Sequence, residues 1–354
     1  SEVEAVRPPP PESTVRVVYT PMHGVGGVPF ARTLALGGRA EVIPVAEQNE
    51  PDGRFPTVSF PNPEEPGALD LAQAAADQEG ADLILANDPD ADRLAAAVPT
   101  DDGWRILSGN QIGVLMADYL LDAWDGDERP MVSNSIVSTA MLGSIADARG
   151  ARFEQTLTGF KWIANAALDL EEAGEGRFVF GFEEALGYSV GTVVLDKDGL
   201  SAGLVFADLA GRMADEGRSL LDRLADLYRR HGVWVSTQVS VVRPGTSGKA
   251  EIDAAMERLA TEVPDMVAGM EVLGHRDFRV GADGRPRWLD TTPLVELDLG
   301  GGSRALIRPS GTEPKLKVYV DLRAEAGDDP ARAEASALDR ANAIGADIAA
   351  WLGF

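Results

Sequence analysis

The densest chemistry in this 354-residue chain is the stretch NDPDADR, residues 87–93, with Asp88, Asp90 and Asp92 at alternate positions and Arg93 closing the run. In an extended loop, alternate residues project to the same side, so three carboxylates can converge on one hard cation. An EF-hand is excluded by position: counting from Asp88, the sixth residue should be Gly and is Arg93, and the twelfth should be Glu and is Pro99. A compact Mg2+ site fits better, because Mg2+ takes few carboxylates and shares its shell with water or phosphate. Arg93, fork-shaped and always charged, suits a phosphate bound beside the metal. The competing reading is a solvated acidic turn.

RPSGTEPKLK, residues 308–317, concentrates donors in the same way. Arg308, the hydroxyls of Ser310 and Thr312, the amides around Gly311, and Lys315 with Lys317 could together cradle a phosphate. The alternative is an ordinary hairpin turn, since Pro, Ser and Gly all favour turns. TGFKWIA (158–164), GFEEALGYSV (181–190) and LDKDG (195–199) are weaker signals. Their loop carboxylates Glu183 and Glu184 could accept sugar hydroxyls, and Lys197 could move a hydroxyl proton. Lys161 could equally be a plain helix-start lysine, and Lys197 a partner for Asp196 or Asp198. In TPMHGVGG (20–27) the glycines could form an anion-binding turn or only a tight strand-to-helix connection.

Composition sets limits on what these residues serve. The formal charge of −25 excludes a general nucleic-acid or anionic-membrane binder and leaves a small anionic substrate in a locally basic pocket. No cysteine is present, so disulfides and zinc–thiolate sites are excluded, which fits a cytoplasmic setting. With 44% apolar residues and no apolar run long enough to span a bilayer, the chain has the make-up of a globular protein. The start, ending in Pro8–Pro11, has the character of a linker rather than a signal peptide.

The elements that must hold these residues alternate as strand and helix. VRVVYT, AEVIPV and ADLILAN are strands around helical stretches, with the acidic run at the carboxyl end of the third, where open α/β sheets bind ligands. RLAAAV and WRILS form a hairpin. A second α/β unit begins near Ser108 and ends near His231. From Gly232 strands and helices segregate, as in an α+β domain. The expected domains are therefore 1–107, 108–231 and 232–354.

Taken in order, TPMHGVGG, NDPDADR, LSGNQIG, TGFKW, GFEEALGY, KDG and RPSGTEPKLKVY resemble the α-D-phosphohexomutase family, the phosphoglucomutases and phosphomannomutases, over nearly the whole chain. The resemblance implies two consecutive three-layer α/β/α domains with mixed sheets, followed by an α+β domain like the TATA-box-binding protein. It implies Mg2+ on Asp88, Asp90 and Asp92, with Arg93 beside the catalytic phosphate and Lys197 as general acid/base. Thr158, Gly159, Lys161 and Glu183 would read the sugar, and Arg308, Ser310, Gly311, Thr312 and Lys315 would grip the phosphate that is not reacting. Many relatives carry serine where this chain has Ala185, which bears on sugar preference.

The implied reaction interconverts glucose 1-phosphate and glucose 6-phosphate, or mannose phosphates, through a phosphoserine and a hexose 1,6-bisphosphate. The family's serine motif is missing, since none of His23, His231 and His275 follows a serine as that motif requires. The expectation is a fragment, inactive alone, whose phosphoserine and fourth metal ligand come from a missing N-terminal domain. The alternatives are a sugar-phosphate-binding protein without chemistry, and a phosphopentomutase in full-length form. The partner is a small-molecule sugar phosphate, the chain monomeric or dimeric.

Overall fold

The computed structural model describes residues 2–311 and 313–354, which form two compact units: residues 2–135 with 142–224, and residues 136–141 with 225–311 and 313–354. The first unit opens with a short helix α1 (Glu2–Val6) and then β1 (Val15–Thr20), α2 (Gly27–Gly37), β2 (Ala40–Pro44), α3 (Asp70–Glu79) and β3 (Leu83–Ala86). β1 is apolar almost throughout and sits in the sheet interior, pairing in parallel with β2 on one side and β3 on the other. Such near-continuous apolar strands are what a sheet covered on both faces requires. The hairpin β4 (Ala95–Thr100) and β5 (Gly103–Ile106) adds two antiparallel strands, giving the order β2-β1-β3-β4-β5.

The same unit holds a second sheet. Its elements are α4 (Gly109–Asp122), β6 (Pro130–Ser135), α5 (Met141–Ala148), β7 (Arg152–Thr156), α6 (Phe160–Glu172), β8 (Arg177–Glu183), β9 (Gly187–Val190), α7 (Gly199–Asp215) and α8 (Leu220–His231), the last running on into the second unit. The strand order is β7-β6-β8-β9, with only the β8–β9 pair antiparallel. α4 starts on a capping box formed by Ser108 and Gln111, which satisfies two otherwise orphaned amides. Both α4 and α7 are buried nearly all round, because each packs on more than one layer: α4 on β8 and β4, α7 on α2, β1 and β9. Gly113 is glycine for a packing reason, since a methyl there would lie 2.7 Å from the Phe182 ring.

Two buried carboxylates of this unit are paired with arginines. Asp118 of α4 is fully buried and bridges Arg149 at 2.8 Å and Arg223 at 2.6 Å. Arg7 leaves α1 to meet the buried Asp208 of α7.

The second unit is built on β10 (Val233–Val242), α9 (Gly245–Thr261), the small pair β11 (Met266–Val267) and β12 (Met270–Glu271), β13 (Gly274–Asp277), β14 (Val295–Gly300), β15 (Ser303–Pro309), β16 (Lys315–Ala324) and α10 (Pro330–Trp351). Its main sheet is wholly antiparallel in the order β10-β16-β15-β14-β13. α10 covers β10 and β16 with Ala341, Ile344 and Ile348. Residues 136–141 are sewn into this unit: Ile136 and Val137 pack with Phe278, Leu294 and Leu306. Buried Asp321 accepts from the Ala140 amide at 2.7 Å and Ser236 Oγ at 2.9 Å, while Arg304 donates to the Ser138 carbonyl.

The architecture is the expected one: two α/β sheets of mixed direction, then an α+β unit. No helix among the described residues is long and apolar enough to cross a membrane. Asp118→Ala would remove the buried partner of Arg149 and Arg223 and leave them only the half-exposed Asp122, so it should cost about 3 kcal/mol. The urea midpoint of the variant measures this directly.

Candidate functional site

The site grows from the end of β3. LILA is fully buried, and the chain emerges at Asn87 and Asp88 on the carboxyl edge of the parallel strands. The loop turns back on itself at Ala91, whose φ of 61° lies in the left-handed region. That turn brings one oxygen each of Asp88, Asp90 and Asp92 within 4.8 Å of one another. Asp92 Oδ1 is buried and has no hydrogen-bond partner. Burial, then the hydrogen bond and charge of Asp88, then Asp92, raise the Asp90 carboxyl above its ordinary value. Convergent carboxylate oxygens, beside a buried carboxylate oxygen with no hydrogen-bond partner, match the donor set of a hard divalent cation.

Two side-chain cations already face this cluster. Arg93 Nε donates to Asp88 Oδ2 at 2.6 Å, and the Arg93 amide donates to Asp88 Oδ1 at 3.1 Å. Lys197 Nζ meets Asp92 Oδ2 at 2.7 Å. Burial alone would lower the lysine pKa, but the hydrogen bond and charge of Asp92, with Asp196, outweigh it and hold Lys197 above the usual value. Beneath the loop, Tyr19 Oη donates to Asn87 Oδ1 at 2.7 Å, and Asn87 Nδ2 donates to the Arg93 carbonyl. Burial, then the charge of Asp88, push the Tyr19 phenol far above its ordinary range, so it remains a donor.

Glycines let the other loops close on this one. At Gly24 a side chain would collide with the Pro89 backbone, and the adjacent Val25 amide donates to the Pro89 carbonyl at 2.9 Å. At Gly26 it would reach Tyr19 Oη at 2.5 Å. The glycines of TPMHGVGG therefore serve close packing; the left-handed φ values in that turn belong to Met22 and His23. His23 Nε2 meets Thr57 Oγ1 at 2.8 Å and takes no part in the carboxylate group. The Gly199 amide donates to the Ala91 carbonyl at 3.2 Å, and Asp198 caps α7 beside it. The Leu94 amide donates to the Leu186 carbonyl at 3.0 Å, and Arg93 bridges to Gly187.

The predicted sugar-reading residues lie on two loops that meet: Glu183 at the end of β8, and Thr158, Gly159 and Lys161 where β7 leads into α6. Glu183 Oε1 accepts from the Gly159 amide at 2.7 Å, where Gly159 has φ 118°. Thr158 is half-buried in the same turn. Glu184 Oε2 accepts from Ser135 Oγ at 3.2 Å, and its carbonyl lies against Gly109, which could carry no side chain there. Lys161 is exposed on the first turn of α6, its Nζ 4.9 Å above the Trp162 ring.

In the second unit, the β15–β16 turn carries the other cationic group. Arg308 and Lys317 stand directly opposite each other across the strands. Two like charges in that register repel, and a bound anion would relieve them. The turn is closed by the Ser310 amide donating to the Lys315 carbonyl at 2.7 Å, and Lys315 pairs with Glu313 at 3.1 Å. The Arg308 side chain makes no hydrogen bond or ion pair among the described residues. Gly311 faces open space. Thr312, expected among the phosphate ligands, lies outside the described residues.

Sequence reasoning missed Asn62, Asn87, Ser135 and the glycines at 109 and 199. Asn87 and Gly109 sit inside quoted motifs, but nothing in their own types announced a role. Asn62 lies in a Pro-rich loop, and its Oδ1 accepts from Arg93 Nη1 at 3.2 Å.

This arrangement has relatives. Successive parts of the chain match the models for phosphoglucomutase/phosphomannomutase α/β/α domain II at residues 4–103, α/β/α domain III at 108–231 and the C-terminal domain at 249–342. The chain belongs to the α-D-phosphohexomutase family. It is 41% identical over 326 residues to "Probable phosphomannomutase" of Haemophilus influenzae, covering 92% of this chain and 62% of that protein. Human phosphopentomutase is 36% identical, with 89% of this chain and 54% of that protein covered. Human glucose 1,6-bisphosphate synthase is 35% identical, with 88% and 53% covered. The chain thus spans little more than half the length of these relatives. Among solved structures, the Paramecium phosphoglucomutase parafusin superposes with a TM-score of 0.69 at 20% identity, over 97% of this chain and 59% of that one. A Burkholderia thailandensis phosphoglucomutase/phosphomannomutase family protein gives 0.62 at 19%, over 96% and 62%. Both support the fold.

Gly24→Ala should displace Pro89 and with it Asp88 and Asp90. Mn2+ affinity, followed by electron paramagnetic resonance, should fall about tenfold or more while the far-ultraviolet circular dichroism is kept.

Proposed function

We propose that this chain is the metal-, sugar- and phosphate-binding portion of a sugar-phosphate mutase that moves a phosphoryl group between hydroxyls of a hexose phosphate through a bisphosphate. The observation that carries the reading is the single cluster in which Asp88, Asp90, Asp92, Arg93 and Lys197 meet. A carboxylate triad with two flanking cations suits a charge-dense phosphoryl group better than a neutral ligand.

Asp88, Asp90 and Asp92 would hold a Mg2+ ion, which when bound neutralises negative charge on the phosphoryl oxygens. Arg93 turns its free guanidinium edge to the same phosphate. Lys197, kept protonated by Asp92, holds a proton at Nζ for exchange with the reacting sugar hydroxyl. Glu183, oriented by the Gly159 amide, accepts from sugar hydroxyls. Arg308 with Ser310 and Lys315 takes a phosphate that is not reacting. The phosphoryl donor we assign is a phosphoserine from outside residues 1–354. Ala185 offers the sugar no hydroxyl, and a pentose phosphate is the second substrate we infer, because phosphopentomutase and phosphoribomutase stand among the relatives.

Isothermal titration with glucose 1,6-bisphosphate tests the reading. Binding should require Mg2+ and be lost with EDTA, and Asp90→Ala should remove the metal dependence; binding indifferent to metal would overturn the assignment. Arg308→Ala should weaken the bisphosphate more than tenfold, the expected effect of losing a charge-assisted contact of about 1.5–3 kcal/mol. A coupled assay with glucose 1-phosphate should show no turnover by this chain alone. Robust turnover would remove the external phosphoserine from the mechanism.

A further inference from the structure

Arg93 has five guanidinium N–H groups, and the direction of the unused ones depends on what the others hold. Its Nε is fixed on Asp88 Oδ2 at 2.6 Å. One hydrogen bond at Nε leaves the planar group free to swing about that contact. The second anchor comes from elsewhere in the chain: Asn62 Oδ1 accepts from Nη1 at 3.2 Å, across a sequence separation of 31 residues.

Asn62 is itself held. Its amide donates to the Phe60 carbonyl at 2.8 Å, its carbonyl accepts from the Glu65 amide at 3.0 Å, and Oδ1 also accepts from the Glu64 amide at 3.3 Å. Pro63 beside it is buried. The other end of the loop is braced on the His23 turn. The Asp52 amide donates to the His23 carbonyl at 2.9 Å, and Thr57 Oγ1 contacts His23 Nε2 and accepts from Gln48 Nε2 at 2.9 Å. Glu64, two residues on, is close enough to Arg93 and Glu184 for their charges to act on its carboxyl. The loop 50–66 therefore ends against the catalytic arginine rather than in open solvent.

We propose that Asn62 is a positioning residue: with Asp88 it fixes the plane of the Arg93 guanidinium, so that the remaining N–H edge faces the phosphate. The proposal rests on the reading that Arg93 receives a phosphate, and it adds a determinant from a loop with no other assigned part. A guanidinium held at two points has lost its rotational freedom before the anion arrives, which strengthens anion binding without a further contact.

The test has two arms on the full 354-residue chain. In the first, arginine-selective 15N side-chain spectra are recorded without ligand, and Arg93→Lys assigns the Arg93 signals. Hindered rotation should leave distinct Nη resonances in the wild type and in Asn62→Asp, which keeps the Oδ1 acceptor and the local turn. In Asn62→Ala they should collapse; unchanged signals in this variant would overturn the proposal.

In the second arm, glucose 1,6-bisphosphate is titrated in the presence of Mg2+. Asn62→Ala should weaken binding about three- to tenfold, and the same substitution in an Arg93→Ala background should change it little. An equal loss in both backgrounds would show a merely structural role and also overturn the proposal. If the wild type binds no bisphosphate, the functional reading fails, while the first arm still decides whether Asn62 holds Arg93.

Discussion

Mutual repulsion among Asp88, Asp90 and Asp92 is the constraint around which the first unit is arranged. Three carboxylates with oxygens inside 4.8 Å of one another cannot rest together without positive charge, since each like pair at about 4 Å costs on the order of 4 kcal/mol near a protein surface. The chain supplies that charge from both sides, Arg93 on Asp88 and Lys197 on Asp92. Those two cations are also the groups suited to a phosphate and to a hydroxyl proton. The groups that balance the charge are thus the same ones the proposed function assigns to the chemistry.

Holding such a cluster requires backbone from several loops at very short range. Gly24, Gly109 and Gly199 each lie where a side chain would collide with a neighbouring loop, and at each the absence of Cβ permits the approach. The loops are then tied by main-chain hydrogen bonds, Val25 to Pro89, Gly199 to Ala91 and Leu94 to Leu186. Main-chain ties fix position while leaving the side chains free for a ligand. Beneath them, the buried Tyr19–Asn87–Arg93 chain of hydrogen bonds makes the acidic loop continuous with the strands that carry it.

The second unit solves a similar problem with opposite sign. Arg308 and Lys317 face each other in register on adjacent strands, a like-charge pairing that is unfavourable without a counter-charge. The open space around Gly311 leaves room for that anion to approach main-chain amides. Each unit thus carries one concentrated charge, fixed by its own backbone.

Much of this was legible along the chain because it is local. The buried strand LILA followed by alternating aspartates, and the arginine, serine and lysines packed into 308–317, are patterns within ten residues, and period and composition are enough to read them. The strand and helix order, and hence α/β units followed by an α+β domain, followed from the same local periodicities, while the mixed three-layer sheets were implied by the family resemblance. What sequence could not give was every pairing across distance. Lys197 could be matched with Asp196 or Asp198 by proximity in sequence, yet folding sets its Nζ on Asp92, because the Gly199 amide is drawn to Ala91. Asn62 lies in a loop with no periodicity, and its contact with Arg93 exists only once that loop is braced on His23. The glycines of 20–27 served close packing, a choice that depends on where Pro89 lies in space. Residue types and spacing determined which chemistry was available; tertiary structure decided which groups meet, because hydrogen bonds and ion pairs depend on distances of a few ångströms that no sequence separation encodes.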